Sequence, residues 1–319
     1  MGNNMQKFSS FIESLIQEDI LSDPIREAYV AEQYDILLEK LITVGGKAYP
    51  KFGNVVIMAG GAGSGKGFVK SNLVGMEGID IDVDALKQLA AKAPMIKKRV
   101  SQELGMDIEK LAGNLKKPEN VSKLHGIIGD FLKLDSRRLK ATYTSILSAA
   151  SDRKPNIIFD TTLKDLQKLQ NLGRQLTAIG YDKSSIHIVW VVNDIEVAQA
   201  QNKKRDRVVP AEILVNTHRG ASNTMNDIVN MGKGLKKYMD GDIVFAFNKV
   251  GVDSSLVKSD KAGKKIGMKG KTKGGQFIKD AEYFYVKRKG KAPTPSAKLE
   301  TELRRKIASY VPKGISWDA

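Results

Sequence analysis

The sequence predicts an α/β fold, a parallel sheet with helices on both faces, from three observations. Short apolar runs alternate with longer helical stretches: Val55–Met58, Gly78–Asp82, Pro155–Asp160, Ser185–Val192 and Asp242–Phe247 all read as strands. A glycine-rich turn, Gly60, Gly61, Ala62, Gly63, Ser64, Gly65, then Lys66, follows the first of them. Acids close two others, Asp82 and Asp160. Connection handedness puts the strand C-termini, and any ligand, on one edge of such a sheet.

The turn fits G-x-x-x-x-G-K, the phosphate-cradling P-loop, which makes the sheet P-loop NTPase-type. Glycines let the backbone curl until several N–H groups face one anion. The helix beginning near Lys66 adds its positive dipole end, and the lysine adds a mobile charge for the β- and γ-phosphates. The loop residues Gly60 to Gly67 are therefore the expected nucleotide contacts. The residue after the lysine is ordinarily Ser or Thr, whose hydroxyl ligates Mg²⁺; here it is Gly67. Either the metal is held by water and by carboxylates elsewhere, or the site binds nucleotide and turns over poorly.

Upstream, Phe8, Phe11, Ile12, Leu15 and Ile16 recur at helical spacing. A second helix, capped by Asp23 with Pro24 at its first position, is expected to run to about Val44 and stop at Gly45–Gly46. Residues 1–50 thus form an N-terminal helical segment. Its first residues resemble the capsid-targeting leaders of internal head proteins of T-even-type bacteriophages, with Ile16-Gln17-Glu18 in the form that a prohead protease cuts. That resemblance implies packaging in a phage head and a mature chain starting at Asp19.

Downstream of the P-loop, residues 92–134 read as a helical insertion broken at Gly113–Asn114 and Lys117–Pro118. Ser136–Ala150 and Leu163–Ile179 read as helices, the latter stopped by Gly180. Asp194 can cap the next helix, and Pro210 opens another that reaches about Met231. Residues 51–252 make the core. Beyond it, Ser259–Gly275 is a Lys/Gly run without periodicity, Ala281–Lys287 a strand, and Thr294–Pro295 the opening of a last helix; together residues 253–319 form a basic extension.

Composition narrows the chemistry. The chain has no cysteine, which excludes disulfides and thiolate metal sites. Its three histidines, His125, His187 and His218, form no ligand-spaced pair, and His187 lies inside an apolar run, as a packed core residue would. No run approaches the length of a membrane helix, so a cytoplasmic protein is expected. Of the net charge of +16, residues 249–319 carry 18 Lys+Arg against 7 Asp+Glu, whereas residues 1–50 carry 4 against 8. The basic end is read either as a surface for a polyanion such as nucleic acid or as a solvated extension.

Phosphoryl transfer needs a metal carboxylate, a base for the acceptor hydroxyl, and cations on the developing charge. Asp160 closes an apolar strand in Walker-B form and can hold Mg²⁺. Asp82 and Asp84 stand where an acceptor sits; either can take the hydroxyl proton, Asp82 can serve the metal, and Asp84 can also merely cap the following helix. Lys203, Lys204, Arg205 and Arg207 form a basic cluster, read as a lid over the γ-phosphate or as a solvated helix end.

Taken in order, GGAGSGKG, IDIDVDALKQ, IIFDTT, Gly180–Tyr181, KKRDRVVP and AFNKVGV resemble the zeta-toxin family of P-loop kinases, over about Asn54 to Val252. The resemblance implies ATP and Mg²⁺ as cofactors and transfer of phosphate to a sugar hydroxyl of UDP-N-acetylglucosamine or a related acceptor. The broader group includes chloramphenicol phosphotransferase-like and polynucleotide-kinase-like enzymes. The resemblance places the phosphate-binding lysine on Lys66. It places the catalytic aspartate of a D-x-D-x-x-K element on Asp84, with Lys87 as that element's lysine. The two lid cations fall on Lys204 or Arg205 and on Arg207, and an asparagine near the adenine falls on Asn248. The family's substrate-binding glutamate has no counterpart, Thr144 or its neighbours standing in its place. The acceptor is accordingly left open between a sugar nucleotide and a nucleic acid or protein, as is a non-catalytic nucleotide-binding role.

Overall fold

The computed structural model describes residues 42–44, 47–49, 53–74, 76–82, 87, 90–134, 139–140, 142–143, 154–248, 257–258, 276–277, 282–314 and 317. Strands β1 (Ile42–Val44) and β2 (Lys47–Tyr49) form an antiparallel pair, Val44 opposite Lys47. This corrects the helix expected to continue to Val44: Ile42, Thr43 and Val44 are β-branched, and a Gly-Gly pair between two short strands is a hairpin signal. The rest of the N-terminal helical segment, with its leader-like stretch, lies outside the described residues.

The six-stranded sheet is built from β3 (Val55–Ala59), β4 (Ile79–Ile81), β5 (Ile157–Asp160), β6 (Ile186–Asn193), β7 (Ile243–Asn248) and β10 (Glu282–Lys287), in the order β10-β7-β6-β3-β5-β4. The first five run parallel; β10 pairs antiparallel with β7. A further two-stranded pair, β8 (Val257–Lys258) with β9 (Gln276–Phe277), stands apart from it. All of β3 is buried, as a central parallel strand covered on both faces requires.

Alternate residues of β3 feed two cores. Val56 and Met58 pack with Val69 and Val74, from α1 (Lys66–Val69) and the π-helical turn Lys70–Val74 that continues it. Val55, Ile57 and Ala59 join the larger core on the opposite face. Three helices cover that face: α5 (Leu166–Ala178) through Leu169, Leu172 and Leu176, α7 (Ala211–Asn230) through Met225, Ile228 and Val229, and α8 (Thr301–Tyr310) through Leu303 and Ile307. α6 (Ile195–Lys204) follows β6, and the Asp194 carboxylate caps it by accepting from the N–H groups of Glu196 and Val197.

Between β4 and β5 lies a helical unit with its own core. It comprises α2 (Pro94–Leu104), α3 (Ile108–Ala112) and α4 (Pro118–Gly126), the last running into a π-helical turn, Ile127–Phe131. Ile96, Val100, Ile108, Leu124 and Ile128 pack among themselves, separate from the sheet.

Two helix starts differ from the sequence reading. Leu163 takes a positive φ, and α5 begins at Leu166 because Asp165 accepts from the N–H of Gln167 and caps it there. After Pro295 comes one 3₁₀ turn, Ser296–Lys298, and α8 starts at Thr301.

Described residues beyond β9 are bound to the sheet and to the helices on it. Trp317 stacks on Trp190, and its indole N–H donates to the carbonyl of Ser222 at 2.9 Å. Lys287 is 2% exposed, and its ammonium donates to Asp240 Oδ1 at 2.9 Å and to the carbonyls of Asp240, Gly241 and Arg288. Burial lowers its pKa while Asp240 opposes that shift. Removing one partner of a buried charge strands the other and its carbonyl neighbours. Lys287→Ala should therefore cost about 3 kcal/mol, read as a lowered denaturant midpoint; an unchanged midpoint would show that the cation is not what fastens β10 to the sheet.

Candidate active site

The loop after β3 turns into α1 at Gly65, whose φ of 87° is one that side-chain-bearing residues avoid. A Cβ on Gly65 would collide with the Asn248 amide, and one on Gly61 with the His218 ring. Only glycine lets those two side chains come so close.

Both side chains belong to a set that ties the loop down from behind. Asn193 ends β6 and Asn248 ends β7, in register with each other. Asn193 Nδ2 donates to the Gly63 carbonyl at 3.2 Å, and Asn248 Nδ2 to the Ser64 carbonyl at 3.0 Å. Two neighbours on α7 hold the Ala62 residue at both its polar groups. Thr217 Oγ1 accepts from its N–H at 3.0 Å, and His218 Nε2 lies 2.9 Å from its carbonyl. A trans peptide points its C=O and the following N–H in opposite directions. The Ala62 and Ser64 carbonyls, held outward, therefore turn the N–H groups of Gly63 and Gly65 inward, the geometry an anion requires, while the Ser64 N–H donates to the Gly61 carbonyl at 3.2 Å.

In front of the loop is an open cleft of about 770 Å³, within the range of small-molecule sites. Ala62 to Phe68, Asp82, Asp160, Arg205 and Arg207 line it together. Lys66 Nζ donates to the carbonyl of Gly60 at 3.0 Å and stands 3.6 Å from Asp160 Oδ1. Lys66 and the carboxylate ending β5 thus meet at the mouth of the loop. Asp82 follows β4, whose Asp80 is paired with Lys70 on the π-helical turn at 2.6 Å.

Arg205 and Arg207 sit on a short loop leaving α6. Asn202, 4% exposed, closes that loop: its amide donates to the Val209 carbonyl at 2.7 Å and its Oδ1 accepts from the Val209 N–H at 3.0 Å. The Val208 N–H donates to the Leu115 carbonyl, so the arginine loop is also bonded to the helical unit, whose Ala112, Gly113 and Leu115 complete the cleft wall.

Not every expected residue reaches the cleft. Lys204 stays on the exposed last turn of α6, and of the alternatives Lys204 or Arg205, Arg205 is the one in the lining. Asn248 is buried and bonded to the loop's back rather than lining the cleft. Gly60 and Gly61 are buried and shape the turn from behind. Asp84 lies outside the described residues; Lys87 is buried. Sequence reading missed Asn193, Asn202, Thr217 and His218. Asn193 carried a signal, a polar residue closing the apolar run Ile188–Val192; the α7 pair carried none.

Mg²⁺ commonly takes one or two carboxylates and completes its shell with water and substrate phosphates. Asp82 and Asp160 on one cleft fit that requirement, although among the described residues no group of three or more His, Asp or Glu could hold a metal. A Cβ on Gly67 would meet nothing within 4 Å, so open space remains where the usual hydroxyl would project.

The zeta toxin family model matches residues 130–244, a stretch that holds Asp160, Arg205 and Arg207 and begins after the P-loop. No curated protein matches the chain. Among solved structures, one from the PezAT chromosomal toxin–antitoxin system of the human pathogen Streptococcus pneumoniae overlaps at 13% identity, covering 72% of this chain and 80% of that one, with a TM-score of 0.42. AvrRxo1-ORF1:AvrRxo1-ORF2 with sulphate ions overlaps at 9% identity, covering 98% and 73%, with a TM-score of 0.42. The same pair with ATP overlaps at 10% identity, covering 98% and 73%, with a TM-score of 0.41. No helix among the described residues is long and apolar enough to cross a membrane.

Burial lowers the His218 pKa to about 4, and the Lys66 charge pushes the same way, against the Ala62 hydrogen bond. The unfolded chain therefore takes up this proton first as pH falls. Stability from His218 is complete above about 6.5 and declines as pH drops toward 4, by about 3 kcal/mol in all. Unfolding at stepped pH should show this loss in the wild type and a smaller one in His218→Gln. Equal slopes would mean that the histidine under the loop is not the titrating group.

Proposed function

We propose that this zeta-toxin-like P-loop kinase transfers the γ-phosphoryl group of ATP to a hydroxyl of a sugar nucleotide or related acceptor. The observation that carries the reading is the convergence of Lys66, Asp160, Asp82, Arg205 and Arg207 on one cleft in front of the P-loop. The match to the zeta toxin family over residues 130–244 supports it.

In this reading the inward amides of the loop and Lys66 hold the β- and γ-phosphates. Asp160, with Asp82, would hold Mg²⁺; the ion supplies charge neutralisation on the phosphate oxygens when bound. Asp84, next but one after Asp82, takes the proton from the acceptor hydroxyl as that oxygen attacks phosphorus. Arg207 and Arg205 lie against the transferring group, and the Asn202 clamp keeps their loop near that position before substrate arrives. The acceptor enters from the Asp82 side of the cleft.

A second reading rests on Gly67: without a hydroxyl after the lysine, the site would bind ATP and not turn it over. The open space at Gly67 makes Gly67→Thr sterically tolerable, so the two readings separate cleanly. Incubation with labelled ATP and a panel of sugar nucleotides, oligonucleotides and small alcohols should yield a phosphorylated product with the wild type. Lys66→Ala should abolish it. Arg207→Ala should lower kcat by roughly 10³-fold with little change in ATP affinity. Product only from Gly67→Thr would favour the binding module; full activity in Lys66→Ala would remove the assigned site.

A further inference from the structure

Strand β10 closes the sheet with three consecutive aromatic residues, Tyr283, Phe284 and Tyr285, whose burial changes along the strand. Val286 and Lys287 at its far end are buried, whereas Tyr283 and Phe284 are 40% and 38% exposed. Single exposed aromatics are ordinary on protein surfaces. These are contiguous and ordered. Tyr283 meets Tyr285 edge-on with centroids 6.1 Å apart, and the Arg288 guanidinium lies 3.2 Å from the centre of the Tyr285 ring. On the opposite face Phe284 meets Phe247 edge-on at 5.8 Å, with the Lys306 ammonium 5.9 Å from its centre. Aromatic faces interleaved with cations are the chemistry that receives nucleobases.

Register fixes where the exposed end points. Tyr283 is opposite Ala246, two residues before Asn248, the side chain that holds Ser64 of the P-loop. The exposed rings therefore stand at the phosphate-loop end of the sheet. Tyr285 packs against the core that β3 shares with α1 and its π-helical turn, and strand alternation puts Tyr283 on that same α1 side. The nucleotide's direction follows from the cleft. Lys66, the β/γ-phosphate ligand, lies beside Asp160 on β5, so the triphosphate's γ end faces β5. In the sheet order β7 and β10 lie across β3 from β5, so the nucleoside leaves the loop toward them.

We infer that Tyr283, backed by Tyr285, is a stacking shelf for a nucleobase. The inference rests on the phosphotransferase reading for the direction of the triphosphate. The base has two sources of one chemistry: the adenine of ATP, or an unpaired base of a polynucleotide drawn in by the basic C-terminal residues.

The test compares full-length wild type, Tyr283→Ala and Tyr283→Phe, with melting curves confirming that each is folded. Three probes are titrated: ATP, inorganic triphosphate, which has the same phosphates and no base, and a fluorescent twelve-nucleotide single strand. Tyr283→Ala should weaken ATP or the oligonucleotide roughly tenfold, Tyr283→Phe should stay within about twofold of wild type, and triphosphate should be unaffected by either. Loss confined to ATP assigns the shelf to adenine; loss confined to the oligonucleotide assigns it to a polynucleotide. The inference is overturned if Tyr283→Ala leaves both unchanged, if triphosphate weakens equally, or if the wild type binds neither base-bearing probe. A wild type that binds ATP through Tyr283 and forms no product on any acceptor would sink the phosphotransferase reading alone.

Discussion

The site depends on three carbonyl groups being held away from it. Ala62, Gly63 and Ser64 point their C=O groups at His218, Asn193 and Asn248, and the N–H groups of Gly63 and Gly65 are turned inward as a result. A run of glycines by itself specifies many shapes, since each glycine visits both halves of φ space. What selects one shape is a set of side chains on rigid elements, two at registered strand ends and two on a long helix. The selected shape is complementary to an anion before any anion arrives, which is how binding energy is conserved for recognition.

The same scaffold sets the charges. Parallel strands bring their C-terminal ends to one edge, so Asp160 and Asp82 face the loop without any special local device. Lys66 then stands among carbonyls and a carboxylate that a phosphate chain can replace. Cations arrive from a different element, the loop after α6, and Asn202 limits how far that loop can wander. Because Val208 is bonded to Leu115, movement of the helical unit and placement of the arginines are mechanically linked.

Much of this was legible in the sequence. The core strands and the P-loop are local patterns, written in runs of a few residues, and they stand where periodicity and turn chemistry placed them. The α6 cap at Asp194 and the buried His187 were legible for the same reason; His187 Nδ1 accepts from the Asp242 N–H inside the sheet. What escaped was non-local. Asn193 meets the loop across 130 residues of chain and His218 across 156, and no window on the sequence spans that. Asn248 was visible as a special position, but its hydrogen bond to the Ser64 carbonyl, across 184 residues, was not. The N-terminal stretch was misread at Ile42–Val44 because a helical pattern was carried into β-branched residues, which pair antiparallel with Lys47–Tyr49.

The most direct test of this account is calorimetric titration of inorganic triphosphate with magnesium into the wild type and into a double variant, Asn193→Ala with Asn248→Ala. The expected result is saturable binding to the wild type and at least roughly tenfold weaker binding to a still-folded double variant, each lost hydrogen bond to the loop being worth about 1 kcal/mol. Equal affinity in the two proteins would contradict it, since the amide cradle would then hold its form without the strand-end asparagines.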